Sequence, residues 1–252
     1  MRFTLRGIIL CALRTFLFLD LGRCSHALGG NRVRLWIFDL DGTLTDSFPL
    51  FFENMQMICA ERGVQISLDD LKACLSGPLP PIFERLLGPG TAPAAMARLK
   101  DLSIERAHHS PLYEGIEETL DVLRSAGRDI AVWTARDKAS AEHLLKATGL
   151  NKYATQLVSG CCVPRNKPYP DGAQLLLERF GRLATEGVMI GDHEHDVSAA
   201  RDAGLLGVRA SWNELWGREA CAIARHQFHD VASFRAWVVE AMRGQVLTKG
   251  QH

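Results

Sequence analysis

Short apolar runs that end in polar residues alternate with helical patterns along most of this chain, and this alternation constrains the fold more than any other feature. Apolar runs predict strands over residues 34–38, 130–133, 156–158, 188–190 and 206–208. Apolar residues at helical spacing predict helices over residues 116–125, 138–148, 171–180 and 195–203. Because such alternation is typical of parallel βαβ units, we expect an α/β fold with a Rossmann-like doubly wound parallel sheet.

Residues 48–111 interrupt this pattern. They contain no convincing strand, and their apolar residues recur at helical spacing between turns such as Gly77-Pro78 and Gly88-Pro89-Gly90. We therefore expect a small α-helical cap domain here, inserted after the first strand. Residues 33–47 and 112–252 would form the core domain.

Residues 1–32 differ from the rest of the chain. They hold arginines but a single acid, and Arg14 and Asp20 interrupt the apolar stretch 7–21, which is too short and broken to span a bilayer. A secretory signal, an arginine-rich transit peptide and a later translation start near Val33 are three interpretations. We favour the later start and leave the segment out of the fold prediction.

Charge and cysteine content exclude several classes of protein. The 29 basic and 29 acidic residues cancel, so there is no electrostatic reason to expect nucleic acid or an anionic membrane as partner. The seven cysteines are odd in number and form no CxxC pair, so we expect reduced thiols and a cytoplasmic protein. We interpret the neighbours Cys161 and Cys162 as packing residues near a strand end rather than as a redox or metal site.

Two acids follow the first predicted strand, in the segment Asp39-Leu40-Asp41-Gly42-Thr43. Residues two apart at a strand end project to the same side, so Asp39 and Asp41 can face one reacting group. Gly42 permits a sharp turn, and Thr43 offers a hydroxyl. A carboxylate can attack phosphorus while a second one donates and then accepts a proton. Asp-Gly is also an ordinary turn, so the pair alone does not decide the function.

Other polar residues follow the ends of later strands, where ligands bind in doubly wound sheets. Asp192 and Asp196 supply oxygen ligands that, together with Asp39, suit a hard ion such as Mg²⁺. Thr134 and Lys167 would donate hydrogen bonds to phosphoryl oxygens. Each has a plainer interpretation: Thr134 as the cap of the following helix, and Lys167 as a solvated loop lysine.

The order of these motifs resembles the haloacid dehalogenase superfamily. Asp-Leu-Asp-Gly-Thr-Leu-Thr, a strand that ends in Thr134, Lys167 before Pro168, and Gly-Asp-x-x-x-Asp occur in sequence, and the resemblance covers residues 34–208. The helical insert resembles the small cap of this superfamily. The segments around Lys167-Pro168 and Gly77-Pro78 look most like its phosphoglycolate phosphatase-like branch.

The resemblance implies a role for each site residue. Asp39 would be the nucleophile that forms an aspartyl-phosphate, and Asp41 the general acid and base. Thr134 and Lys167 would hold the phosphoryl group of a small-molecule phosphomonoester. The ligands of Mg²⁺ would be Asp39, the backbone carbonyl of Asp41, and Asp192. Asp196 would be an additional ligand or would act through the others.

Alternative functions remain on the same scaffold. A dehalogenase needs neither a second acid nor a metal, so Asp41, Asp192 and Asp196 argue against it. A phosphomutase shares the phosphoryl chemistry, but no mutase-like cap signature is evident. A catalytically idle binding protein could lose any motif acid, and all of them are present.

Specificity and metal preference depend on neighbouring residues. Phe48 and the rest of the cap would contact the substrate, and Arg136 would either reach a substrate carboxylate or pair with a helix acid. His193 and His195 could form a transition-metal site with Asp192 and Asp196. We favour the interpretation that these histidines line the mouth of the site.

Overall fold

The computed structural model describes residues 33–213 and 219–244. Its centre is a sheet of six parallel strands in the order β3-β2-β1-β4-β5-β6. The strands are β1 Leu35–Phe38, β2 Asp129–Trp133, β3 Gln156–Val158, β4 Gly187–Gly191, β5 Leu206–Ala210 and β6 His226–Phe228. Leu35 lies opposite Asp129 of β2 and Gly187 of β4, so β1 is central and its end is flanked by theirs.

Five α-helices lie between β1 and β2, and four more follow β2 in the described part of the chain. The first four are α1 Phe48–Ala60, α2 Leu68–Ser76, α3 Leu79–Leu87 and α4 Ala92–Glu105. The others are α5 Ile116–Ser125, α6 Lys138–Ala147, α7 Asp171–Phe180, α8 Glu194–Asp202 and α9 Val231–Met242. None of the described helices is long and apolar enough to cross a membrane.

Both faces of the sheet are covered, which explains why β1 is apolar throughout. Trp36 and Phe38 point to one face and pack with residues of α5, α6 and α9. Leu35 and Ile37 point to the other face and pack with residues of α7 and α8. Because alternate residues of a strand face opposite sides, the sheet separates two hydrophobic layers.

Helices α1 to α4 pack around a third hydrophobic cluster of their own. It includes Met55 from α1, the fully buried Phe83 from α3, and Leu99 and Leu102 from α4. This separate cluster gives the four helices a hydrophobic core of their own. We propose the division into a cap, residues 48–111, and a core on this basis.

The strands and helices predicted from the sequence are confirmed to within two residues at each end. Two elements after residue 210, β6 and α9, were missed. Helix α9 has a recognisable start, since the side chain of Asp230 accepts a hydrogen bond from the backbone of Ser233. The interpretations of residues 1–32 lie outside the described residues.

Candidate active site

The carboxyl ends of three adjacent strands meet at one edge of the sheet. Asp39 follows β1, Thr134 follows β2, and Asp192 follows β4. The backbone N–H of Asp39 donates to the carbonyl of Ile190 at 2.9 Å, so the nucleophile candidate is fixed by the sheet itself. A pocket of about 200 Å³ opens here, lined by Asp39, Asp41, Phe48, Thr134, Ala135, Lys167, Asp192, His193, His195 and Asp196.

A tight turn after β1 brings the first motif against the second strand end. Gly42 has a positive φ of 75°, and a Cβ atom there would lie 2.4 Å from Oδ2 of Asp192 and 2.5 Å from the Phe48 ring. Glycine is therefore required for both conformation and space. Asn213 secures the contact, because its Nδ2 donates to the carbonyl of Gly42 at 2.9 Å and to Oδ2 of Asp192 at 3.0 Å.

Lys167 joins two of the buried carboxylates. Its Nζ donates to Oδ1 of Asp39 at 2.5 Å and to Oδ1 of Asp196 at 2.7 Å, and its side chain is only 9% exposed. The other oxygen of Asp196 accepts from the backbone N–H of His193 at 3.0 Å. Asp196 thus stabilises the first turn of helix α8 and also orients the lysine.

The charges in this cluster shift each other's protonation. Burial raises the pKa of Asp39 to about 7, against the opposing charge of Lys167 and with added repulsion from Asp196 and Asp41. Burial by itself lowers the pKa of Lys167, but the charges of Asp196 and Asp39 outweigh it and the net pKa lies above the ordinary value. Lys167 is therefore a permanent cation at this site.

Asp41 is held by a different cation. Arg136 donates from Nε to Oδ2 at 2.8 Å and from Nη2 to Oδ1 at 2.6 Å, and the hydroxyl of Ser47 donates to Oδ1. Burial raises the pKa of Asp41, but the charge and hydrogen bonds of Arg136 and the bond from Ser47 outweigh it. The net pKa of Asp41 lies below its ordinary value.

Three carboxylates converge in a way that fits a hard cation. One oxygen each of Asp39, Asp192 and Asp196 lie within 4.8 Å of one another, and this is the only such group of acids, histidines or cysteines in residues 33–213 and 219–244. Carboxylate oxygens are the ligands that Mg²⁺ prefers. The donor set therefore fits the metal expected from the sequence.

The plainer interpretations of Thr134 and Lys167 are wrong. Asp137, not Thr134, caps helix α6 by accepting from the backbone of Ala139 and Ser140. Thr134 is buried at the pocket, where its Oγ1 accepts from the backbone N–H of Arg136 at 3.2 Å. Lys167 is buried rather than solvated.

Other site residues lie where the sequence did not place them. Arg136 pairs with Asp41 rather than with a helix acid. Thr43 is fully buried, and its hydroxyl finds no hydrogen-bond partner among the described residues. Asn213 was missed because it belongs to no motif and is brought to the site only by the fold.

The two histidines line the pocket beside the acids. His193 begins helix α8 and its Nδ1 accepts from the backbone N–H of His195 at 3.1 Å, while His195 is exposed. Neither histidine contributes a ring nitrogen to the converging group formed by Asp39, Asp192 and Asp196. Their positions agree with the interpretation that they line the mouth of the site.

The adjacent cysteines lie on the loop after β3. Cys161 is exposed, so its interpretation as a packing residue is wrong. Cys162 is partly buried and packs against the hydrophobic layer beside α7. The described cysteines form no disulfide with one another.

The comparison that decides the family covers most of the chain. Residues 36–209 match the family of haloacid dehalogenase-like hydrolases. The chain belongs to this family. The match begins in β1 and ends in β5, so it spans the strands that carry all four site motifs.

Individual relatives of this haloacid dehalogenase-like hydrolase agree with that assignment. A phosphoglycolate phosphatase of Xanthomonas campestris pv. campestris (strain 8004) is 30% identical over 189 residues, which cover 73% of this chain and 86% of the relative. The pyrophosphatase PpaX of Bacillus velezensis is 29% identical, covering 72% of this chain and 85% of the relative. The branch predicted from the sequence is therefore confirmed as phosphoglycolate phosphatase-like.

Solved structures show the same fold. CbbY from Rhodobacter sphaeroides, in complex with phosphate, has a TM-score of 0.72 at 21% identity and covers 80% of this chain and 96% of that chain. A predicted phosphoglycolate phosphatase from Haemophilus somnus 129pt has a TM-score of 0.71 at 22% identity and covers 81% and 96%. At this identity the likeness concerns the fold alone.

Proposed function

We propose that this chain is a Mg²⁺-dependent phosphatase that hydrolyses a small-molecule phosphomonoester through an aspartyl-phosphate on Asp39. Membership of the hydrolase family and the phosphatase names of its relatives support a phosphoric monoester hydrolase. The observation that carries the mechanism is the contact of Lys167 with Asp39, beside a second acid, Asp41, that is held separately by Arg136.

In the first step an oxygen of ionised Asp39 would attack phosphorus, and the bond from phosphorus to the leaving-group oxygen would break. Lys167 would offset the negative charge that gathers on the phosphoryl oxygens. The hydroxyl of Thr134 would donate to one of these oxygens. Asp41, once protonated, would give its proton to the departing oxygen, which leaves as an alcohol.

In the second step water would attack the phosphorus of the aspartyl-phosphate. Asp41, now a carboxylate, would accept the proton of that water, and the bond from phosphorus to Asp39 would break. Inorganic phosphate leaves, Asp39 is again a carboxylate, and Asp41 carries the proton taken from water, as it did before the first step. One residue thus acts as acid and then as base.

The metal site would be formed by Asp39, the backbone carbonyl of Asp41, and Asp192. When bound there, Mg²⁺ would supply positive charge next to the phosphoryl oxygens. Asp196 has one oxygen on Lys167 and the other on the backbone of His193. Its role is therefore to position the lysine and the start of α8, with ligation a smaller contribution.

Phosphoglycolate is the reference substrate that the relatives' names suggest. Arg136 pairs with Asp41, the proposed proton donor to the leaving group, so it would meet a substrate carboxylate only after releasing Asp41. Phosphoglycolate therefore belongs in any test, and the shape of the adjoining cavity bears on whether it is the preferred ester.

The proposal is tested by assaying a panel of phosphomonoesters with the protein, with Asp39→Asn, and with Asp101→Asn, an exposed aspartate of α4, as control. We expect Mg²⁺-dependent release of phosphate that Asp39→Asn abolishes and Asp101→Asn leaves unchanged. Equal hydrolysis by protein and Asp39→Asn would contradict the proposal. An isomeric phosphate ester in place of free phosphate would identify a phosphomutase.

A further inference from the structure

A second, larger cavity adjoins the phosphoryl pocket on the side of Asp41. Its volume is about 680 Å³, and it shares Asp41, Phe48 and Ala135 with the smaller pocket. Asp39 and Lys167 line the smaller pocket and do not line the larger cavity. Because Asp41 would protonate the leaving-group oxygen, the organic part of the substrate would extend into this larger cavity.

The walls of this leaving-group cavity are mostly apolar. Buried residues line its interior, with Leu50 from α1, Leu99 from α4 and Leu144 from α6. Helix α6 packs against α4, so the cavity lies between the cap helices and the core. Ligand pockets of about 300–1,000 Å³ hold drug-sized molecules, whereas the two-carbon glycolate group would leave most of this space unfilled.

The charged residues that line the cavity neutralise one another. Arg136 pairs with Asp41 at 2.6 Å, and Lys100 of α4 pairs across the gap with Asp137 at 3.7 Å. No other charged side chain lines it among the described residues. An anionic leaving group would have to displace one of these carboxylates, so the cavity favours an uncharged one.

One polar group on the wall lacks an internal partner. Ser110 is 2% exposed and lines the cavity, and its hydroxyl makes no hydrogen bond with the described residues. A buried hydroxyl without a partner costs about 1–3 kcal/mol, so such groups call for an explanation. A hydrogen-bonding group on the substrate would satisfy it.

We propose that the preferred substrate carries an uncharged leaving group much larger than glycolate, with an apolar body and a hydroxyl that hydrogen-bonds Ser110. This inference rests on the proposed function, because the leaving-group side is defined by the role of Asp41. It makes phosphoglycolate a poor substrate of this chain.

The test uses esters with the same kind of primary alkoxide leaving group, so that intrinsic reactivity is matched. Phosphoglycolate and ethyl phosphate compare charge at equal size, and benzyl and 2-naphthylmethyl phosphate add apolar bulk. We expect kcat/KM for 2-naphthylmethyl phosphate to exceed that for phosphoglycolate by about tenfold or more. If Asp39-dependent hydrolysis of phosphoglycolate is at least as efficient, this inference fails while the proposed function stands.

A cavity-filling variant tests whether the preference for a bulky ester arises in this cavity. Ser103, partly buried on α4, lines the cavity, and Ser103→Phe should raise KM for 2-naphthylmethyl phosphate by a larger factor than KM for ethyl phosphate. Glu105→Phe, exposed on the same helix and outside the cavity lining, is the control. An equal effect on both esters, or none, would overturn the inference.

The hydroxyl of Ser110 has its own test. In the unaltered protein we expect a higher kcat/KM for 4-(hydroxymethyl)benzyl phosphate than for benzyl phosphate. Ser110→Ala should remove this advantage and leave the free energy of unfolding equal or higher. An unchanged advantage would overturn this part. If no ester is hydrolysed, the proposed function fails, and binding of 2-naphthylmethyl phosphate and phosphoglycolate to Asp39→Asn, by calorimetry, decides the inference: equal affinities would overturn it.

Discussion

Arg136 donates two hydrogen bonds to the carboxylate of Asp41, from Nε to Oδ2 at 2.8 Å and from Nη2 to Oδ1 at 2.6 Å. This geometry is the strong, paired arrangement that guanidinium and carboxylate groups form. It keeps the candidate general acid ionised in the resting protein. Under the proposed mechanism, protonation of the leaving group would require Arg136 to release Asp41, and an ester bound in the cavity beyond Asp41 would compete for that position.

Replacing Arg136 should change the pH profile in a defined direction. A general acid works in its protonated form, so kcat/KM falls as the pH rises through the pKa of Asp41. Arg136 lowers that pKa, and Arg136→Gln should raise it and move the alkaline limb to higher pH. The profile is measured with ethyl phosphate, beside Arg165→Gln, which removes an exposed pair with Asp171. A limb that stays in place or moves to lower pH would contradict the assignment of Asp41.

Lys167→Met should impair both catalysis and folding. We expect kcat to fall by about 10²–10³-fold, because a donor to the phosphoryl oxygens is lost. Without metal, and at a pH above the pKa of Asp39, the free energy of unfolding should drop by about 3–5 kcal/mol, since Asp39 and Asp196 lose their shared buried cation.

The stability loss in Lys167→Met should shrink as the pH falls. The pKa of Asp39 is already raised, and removing the lysine raises it further, so protonation of Asp39 relieves the repulsion. Urea unfolding with chelator, compared between alkaline pH and a pH near 7, measures this, because the two proteins differ in the protonation of Asp39 only above a pKa of about 7. Lys152→Met, which breaks an exposed pair with Glu117, is the control. A loss no larger than in the control would refute the buried cluster.

Gly42→Ala should be more harmful than the same change at Gly63. Both glycines have positive φ, 75° and 70°, so both variants carry a backbone cost of about 1–2 kcal/mol. Only at Gly42 would the new methyl group also meet Asp192 and Phe48, whereas nothing lies within 4 Å at Gly63. We expect Gly42→Ala to lose a further ~1–3 kcal/mol and most activity. Equal unfolding free energies in the two variants would show that the turn adapts.

Loss of a proposed metal ligand should weaken Mg²⁺ binding itself. We expect Asp192→Asn to raise the Mg²⁺ dissociation constant measured by calorimetry by about tenfold or more. Glu194→Gln, an exposed acid outside the converging group, is the control and should bind as before. Chelated protein restored with Mg²⁺, Mn²⁺ or Zn²⁺ then compares the ions. Activity with Zn²⁺ alone would contradict the assignment of Mg²⁺.

Much of the fold follows from local patterns in the sequence. The strands are short apolar runs whose residues face two buried layers, as Trp36 and Ile37 do, and each ends where a polar residue follows. Strand β6 was not predicted, because it spans only His226–Phe228 and two of its three residues are polar. Helix α9 has an Asp230 cap and apolar residues at helical spacing, which are local signals of a helix in the sequence.

The site was less completely predictable, because partners distant in sequence come together only through the fold. The motif residues Asp39, Thr134, Lys167 and Asp192 share a strand edge, and strand order predicts that meeting. No local signal marks Asn213 as the partner of Gly42 and Asp192. The pairing of Arg136 with Asp41 likewise depends on which of several nearby groups the arginine side chain reaches in the folded protein. Sequence spacing does not determine this.

The central claim is that Asp39 becomes covalently phosphorylated. Protein mixed with a phosphomonoester and Mg²⁺ is quenched in acid within the first turnover, and the peptide that contains Asp39 is examined by mass spectrometry. The account predicts a phosphoryl group on Asp39 that disappears as substrate is exhausted and never forms in Asp39→Asn. Hydrolysis that proceeds with no phosphoryl group on that peptide, and that persists in Asp39→Asn, would contradict it.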